Sequence, residues 1–341
     1  MFSISTAAGL LALSSAEVFE FSDLEVATDR WFYPFNATPG DRILASTFGQ
    51  DIYTVFDDRD GQFLLTFDLT ELGIATPIDP NQITFEALRL EVNYEGTNPV
   101  VYDNTIDDPS TFGSAGAPDV DAGRPLELWA VGWRDGWTAG TFPEDGPYSA
   151  DGSSFGRSVR NAYPQTTDAS GVLQDASNQP SEGFAADPLA IGLSQGTVPG
   201  DLIPADSTIA FEMNAISEAE NALLSAGCAE GKLALMLTSM TEVVEGGEGA
   251  DYPSYYCREH PNVTFDLAFA ARLSGTITIF NGPPPSCGGD IDSDGQVGLS
   301  DVLIILSEWG CSGCSSDVDG NGTTGFDDVI SVLAVWGPCT G

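Results

Sequence analysis

Asp290-Ile-Asp292-Ser-Asp294-Gly295-Gln296-Val-Gly-Leu-Ser-Asp301 is followed, 27 positions on, by Asp317-Val-Asp319-Gly-Asn321-Gly322-Thr323-Thr-Gly-Phe-Asp-Asp328. In both stretches oxygen-bearing side chains stand at positions 1, 3, 5 and 12 of a twelve-residue loop. A glycine at position 6 allows the sharp turn through which position 7 offers its carbonyl. A hard divalent cation takes six to eight oxygens at about 2.3–2.6 Å, and this spacing wraps the chain around one. Each loop runs into an apolar stretch ending in Trp-Gly, Val302 to Trp309-Gly310 and Val329 to Trp336-Gly337. The reading is a duplicated calcium loop plus helix, a small all-α domain over residues 287–341 with two calcium ions as cofactors.

Upstream, Asn281-Gly-Pro-Pro-Pro-Ser286 reads as a stiff linker. Proline runs extend by roughly 3 Å per residue and hold domains apart. Residues 17–280 are punctuated by Gly, Pro and Asp, with short apolar runs between turns, which predicts an antiparallel β-sandwich, jelly-roll-like, of two stacked sheets. The expected strands are 63–67, 83–94, 126–131, 209–213, 233–238, 263–269 and 273–280. Ile209, Phe211, Met213 and Leu233, Leu235, Leu237 alternate with period two, so one face is buried. In 83–94 the apolar parity shifts near Ala87, as a bulge would make it. One helix stands out, Glu218 to Ala226, with a capping box of Ser217 and Glu220 and a stop at Gly227. The long Gly- and Pro-rich stretch 138–204 reads as a functional surface or as loosely ordered excursions.

The chain has 51 acidic and 11 basic residues, a formal charge of -40, and a single lysine, Lys232. That balance excludes nucleic acid and anionic membrane as partners, since both need a basic surface. Six cysteines, four of them from Cys287 onward, predict an oxidising compartment and a secreted or cell-surface protein. Residues 1–16 resemble a secretory signal with a small-residue cleavage site, although no Lys or Arg precedes Arg30. No other stretch reaches the length of a membrane span. Cys228 and Cys257, 29 residues apart, are expected to form a disulfide worth about 3–4 kcal/mol, with two buried thiols as the alternative.

The C-terminal pair resembles the dockerin family over residues 287–341: two loop-helix repeats, Asp in place of Glu at loop position 12, no helix before the first loop, and a proline linker upstream. The resemblance implies ligands Asp290, Asp292, Asp294, the Gln296 carbonyl and Asp301 for one ion. For the other it implies Asp317, Asp319, Asn321, the Thr323 carbonyl and Asp328. It also implies a cohesin-like receptor or surface assembly as partner. Leu299-Ser300 stands where the second repeat has Phe326-Asp327, which argues against two equivalent binding orientations. The nine acidic residues of this segment, with no basic ones, give -9, which two calcium ions would lower to -5. A disulfide from Cys287 to Cys311 would bridge a helix about 15 Å long, beyond its reach. Antiparallel packing of the repeats would instead pair Cys287 with Cys339 and Cys311 with Cys314.

Asp29-Arg-Trp31-Phe-Tyr-Pro-Phe35, Phe63-Leu-Leu-Thr-Phe-Asp68, 83–90 and Pro125-Leu-Glu-Leu-Trp129 resemble the secreted DNRLRE-type β-sandwich domains, some of them grouped with carbohydrate-binding modules. Polysaccharide is then a partner to expect, and exposed flat rings would bind it: Trp133, Trp137, Tyr252 and Tyr255, with Tyr256 pointing to the other side. Catalysis finds less support. His260 has no second histidine and reads as a turn residue, no Gly-x-Ser-x-Gly is present, and Glu86 is the one strand glutamate with a candidate partner on its face. The expectation is a non-catalytic interaction protein, with a dockerin-bearing glycosidase or lyase and a purely structural or adhesive surface protein as alternatives.

Overall fold

The computed structural model describes residues 15–50, 55–113, 116, 119–168, 171–243, 252–281, 288–292, 296–312 and 314–338. Most of the signal segment, linker residues 282–286, Asp294, Cys287 and Cys339 lie outside them. The chain divides into two compact units, residues 19–80 with 85–277, and residues 1–18 and 81–84 with 278–341. It is mainly β.

Eight strands, with most of their residues in the larger unit, build the sheet: β1 (Ser15–Phe32), β2 (Arg59–Asp68), β3 (Ile83–Asn93), β4 (Leu126–Trp133), β5 (Ala190–Ser194), β6 (Thr208–Met213), β7 (Lys232–Ser239) and β8 (Arg272–Asn281). Their hydrogen-bonded order is β7-β2-β1-β8-β3-β6-β5-β4, and β4 pairs with β7 again, so the antiparallel sheet closes into an eight-stranded barrel. Two separate stacked sheets were the expectation. The ladders β1–β2, β5–β6 and β4–β7 instead link neighbour to neighbour in one continuous ring. A hairpin of Ala162–Thr167 and Leu173–Asp175 continues outward from β4.

Alternation along the strands sets up two cores. Leu233, Leu235 and Leu237 of β7 pair with Phe67, Leu65 and Phe63 of β2, giving one fully apolar face. The intervening Ala234, Met236 and Leu64 turn the other way and join Trp129, Val131, Phe32 and Phe142 in a second buried cluster. Both faces of β2 are therefore covered, which is why its residues are buried without a break from Arg59 to Phe67 and its apolar residues Phe63, Leu64 and Leu65 run consecutively. The Gly- and Pro-rich stretch supplies that cover through Ala139, Phe142, Ala162 and Ala176, so it is a packed layer over the sheet. In β3, Glu86 and Ala87 both face away from the core between buried Phe85 and Leu88, the parity shift read from the sequence.

α1 (Glu218–Ala226) carries the expected capping box, and Gly227 closes it. Residues 263–269 are not a strand. His260 caps a single helical turn, Pro261–Thr264, with its Nδ1 accepting the Asn262 N–H at 3.0 Å, and proline at the first helical position favours that turn over extension. Cys228 and Cys257 are two buried thiols, not a disulfide. The Cys228 sulfur donates to the Leu224 carbonyl in the last turn of α1 (3.2 Å), and Cys257 is held by its own N–H on the Ile43 carbonyl (3.0 Å).

Candidate metal centre

In the smaller unit the two loops lead into α2 (Leu299–Ser307) and α3 (Phe326–Ala334). The domain is not purely helical: Gln296–Val297 pairs antiparallel with Gly337–Pro338. Its core is Val297, Ile305 and Val332, flanked by Ile291, Val302, Val318 and Val329.

Loop position 12 lies in the first turn of each helix, and its carboxylate turns back into the loop. Asp301, fully buried, accepts N–H groups from Ile291 (2.7 Å), Asp292 (3.3 Å) and Gly298 (2.8 Å). Asp328, equally buried, accepts from Asp319 (3.0 Å) and Gly325 (2.6 Å). Burial tends to raise the Asp328 carboxyl, but the amides of Asp319, Gly325 and Val318 outweigh it and hold the group below its ordinary value. A helix N-terminus favours the same charge state.

Around these anchors the carboxylates converge. One oxygen each from Asp290, Asp292 and Asp301 lie within 4.8 Å of one another, and so do oxygens from Asp317, Asp319 and Asp328. The second loop shows how the turn is made. Gly322 at position 6 has φ +94° and donates to Asp317 Oδ2 at 2.8 Å, a backbone state that strains any residue with a Cβ. Asn321 at position 5 accepts the Thr323 N–H (3.0 Å) and donates to Asp319 (2.7 Å). Asp317 Oδ1 is buried and accepts no hydrogen bond. A buried carboxylate oxygen without a donor is costly unless a cation meets it, so the residues present fit a hard ion. Cys311 and Cys314 are joined in a disulfide between the repeats, with Cα atoms 5.9 Å apart.

A further feature of the two helices escaped the sequence reading. Leu299, Leu303, Leu306 and Trp309 are exposed, and so are Phe326, Ile330, Leu333 and Trp336, each 27 residues after its counterpart. The spacing i, i+4, i+7 makes each set one stripe of its helix. The hydrophobic pattern alone cannot separate a stripe that faces a core from one that faces outward.

The aromatic residues expected to bind sugar do not assemble into one open face. Trp133 and Trp137 are half-buried, each with its ring 5.3 Å from that of Phe142, on the second core. Tyr252 packs on Phe48 with rings 5.1 Å apart. Tyr255 is fully buried, stacked on Phe63 at 5.7 Å, so it presents nothing to a ligand. An exposed aromatic group lies elsewhere, where Phe35 meets Phe56 and Phe155 at 5.7 and 5.6 Å.

No protein-family model matches the chain, and no curated protein matches it in sequence.

Proposed function

We propose that this chain is a secreted, non-catalytic anchoring protein whose C-terminal dockerin-like module binds two calcium ions and docks on a cohesin-like receptor or surface assembly. The observation that carries the reading is the pair of carboxylate cages at the helix starts, one of them with an orphaned buried oxygen. Supporting it is the exposed apolar stripe on each helix, repeated at the period of the loops. Large apolar side chains exposed together mark an interaction surface. The cages would fix the two helices, and the stripes would make the contact.

For the β unit, the neighbour order β1-β8-β3-β6 and β5-β4-β7-β2 around the ring is that of two interleaved Greek keys, which supports reading it as a jelly-roll-type interaction domain. The packing of Trp133, Trp137 and Tyr255 favours a structural or adhesive role over a glycan-directed one. Glu127, the buried strand glutamate, is held by Arg59 through two hydrogen bonds of 2.6 and 2.7 Å, which favours a structural role for it.

Calorimetry on the full chain tests the anchor. Asp290→Ala with Asp317→Ala is expected to remove two equivalents of calcium. Binding to a panel of cohesin-type domains, measured in calcium and in chelator, is expected only in calcium, and Leu303→Glu with Ile330→Glu should abolish it. Calcium binding untouched by the loop variants would sink the metal assignment. Binding to no cohesin-type domain would sink the receptor assignment alone.

A further inference from the structure

We propose that Asp103, Asp107 and Asp121 form a third divalent-cation site, in the β unit and independent of the two C-terminal loops. One carboxylate oxygen from each of the three lies within 4.8 Å of the others. Asp103 is only 3% exposed, and its Oδ2 is buried without a hydrogen-bond donor. Its Oδ1 is already taken, by the N–H and the hydroxyl of Thr105, both at 2.8 Å. The oxygen left over is the one without a donor, in a cluster whose other members are also acids.

The backbone fixes this arrangement. Val101 bridges to Leu202, and Tyr102 bonds to both Asp201 and Gly200 at 2.8 Å, so Asp103 leaves an anchored segment. Asp121 arrives from a chain that approaches closely at Gly123, where φ is +105° and a Cβ would stand 2.8 Å from the Val101 carbonyl oxygen. Arg124 ties the outer side, donating to Asp107 (2.7 Å), Asp119 (3.0 Å) and Thr111 (2.7 Å). With Asp103, Asp107, Asp119 and Asp121 against this one guanidinium, the local formal charge is -3, on a chain that is already at -40. An all-oxygen set of carboxylates selects a hard ion such as calcium over a soft one.

In a second acidic group of the β unit, Asp29, Glu144 and Glu259, the protein's own Arg258 reaches all three carboxylates, at 3.5, 2.6 and 3.7 Å, whereas Arg124 reaches only Asp107 of the proposed set, at 2.7 Å.

The test uses the full chain with both C-terminal loops disabled by Asp290→Ala, Asp301→Ala, Asp317→Ala and Asp328→Ala, stripped with chelator and titrated with calcium alone. One equivalent of calcium is expected to remain, and the melting temperature of the β unit to rise when it binds. Adding Asp121→Asn, an exposed position whose change leaves the fold intact, should weaken that equivalent by about tenfold or more. Asp103→Asn should remove it. The proposal is overturned if the loop-disabled chain binds no calcium at millimolar concentration, or if the remaining equivalent survives both Asn variants. It is overturned as well if melting ignores calcium but rises on acidification through Asp103 and Asp107, because a shared proton would then occupy the cluster.

Discussion

The barrel and the loop pair hold themselves together by opposite means. The barrel covers both faces of β2, stacks leucines of β7 on phenylalanines and leucines of β2, and adds an outer layer around Trp129 and Phe142. The loop pair buries Val297, Ile305 and Val332 at its centre, while nine large apolar side chains of the described residues on its helices and their ends stay exposed. A domain of that size with so small a core falls short of the conformational entropy it must overcome, and bound metal is one of the few remaining sources of order. The difference is one of means: area removed from water holds the barrel, whereas the loop pair has little of it and, on the proposed reading, draws on cation and carboxylate.

Chelation breaks the comparison most directly. In excess chelator the helices of the loop pair are expected to lose their hydrogen-exchange protection altogether while the core strands of the barrel keep theirs. Protection that persists in both units would show that the small core suffices.

Within the barrel the largest single loss is expected at Glu127. It receives Arg59 and the Thr238 hydroxyl (2.6 Å), and Thr238 in turn accepts the Trp129 indole N–H (2.9 Å). Glu127→Ala strands a buried guanidinium at a cost of about 3–5 kcal/mol, a drop in melting temperature on the order of 10 °C. Calcium affinity of the loops should not change, which calorimetry on the variant can verify.

A smaller effect is expected with pH. Burial pushes the Asp29 carboxyl up to about 7, with Glu259 and Glu144 adding to the shift and Arg258 opposing it. Between its ordinary value and 7 the folded chain keeps a proton that the unfolded chain has released. The contribution to stability is therefore complete at low pH and is lost as pH rises through 7. Asp60 is pushed up to about 7 in the same direction, by burial and by Asp57 against Arg160. Asp29→Asn should flatten part of the fall in melting temperature between pH 5 and pH 8, on the order of a few degrees. An unchanged slope would reassign the effect. The least change is expected from Ser217→Ala, which removes the α1 cap and costs about 1 kcal/mol in thermal or denaturant melts.

What the sequence made legible follows from distance along the chain. The acidic stretches ahead of the two C-terminal helices, the capping box of α1 and all but one of the alternating strands are local patterns, and the described residues show the converging carboxylates, the cap and the strands. β1 was hidden because its register shifts between Val26 and Thr28, which breaks the alternation and sends polar Asp29 and Arg30 into buried positions. Residues 263–269 alternate like a strand, yet Phe265 and Leu267 are exposed. The decisive signal was the capping residue ahead of Pro261, not the periodicity. The Cys228–Cys257 pairing failed because sequence separation says nothing about where two thiols end up. The group Asp29, Glu144 and Glu259 joins segments more than a hundred residues apart, and no local pattern announces it. The alternation of Asp103, Thr105 and Asp107 was a signal within reach.

The pairing of β1 with β8 has a consequence for how the chain is made. The Val26 N–H bonds to the Ala271 carbonyl at 3.1 Å, so the ring cannot close until nearly the whole β unit has been synthesised. The entropy of closing so long a loop grows only logarithmically with length, but sheets built on distant pairings form slowly. Until β8 arrives, β1 and β3 lack a neighbour, and their unpaired edges are open to other nascent chains. The repulsion among chains that carry so many carboxylates then acts as a kinetic guard, keeping incomplete barrels apart until the last strand is delivered.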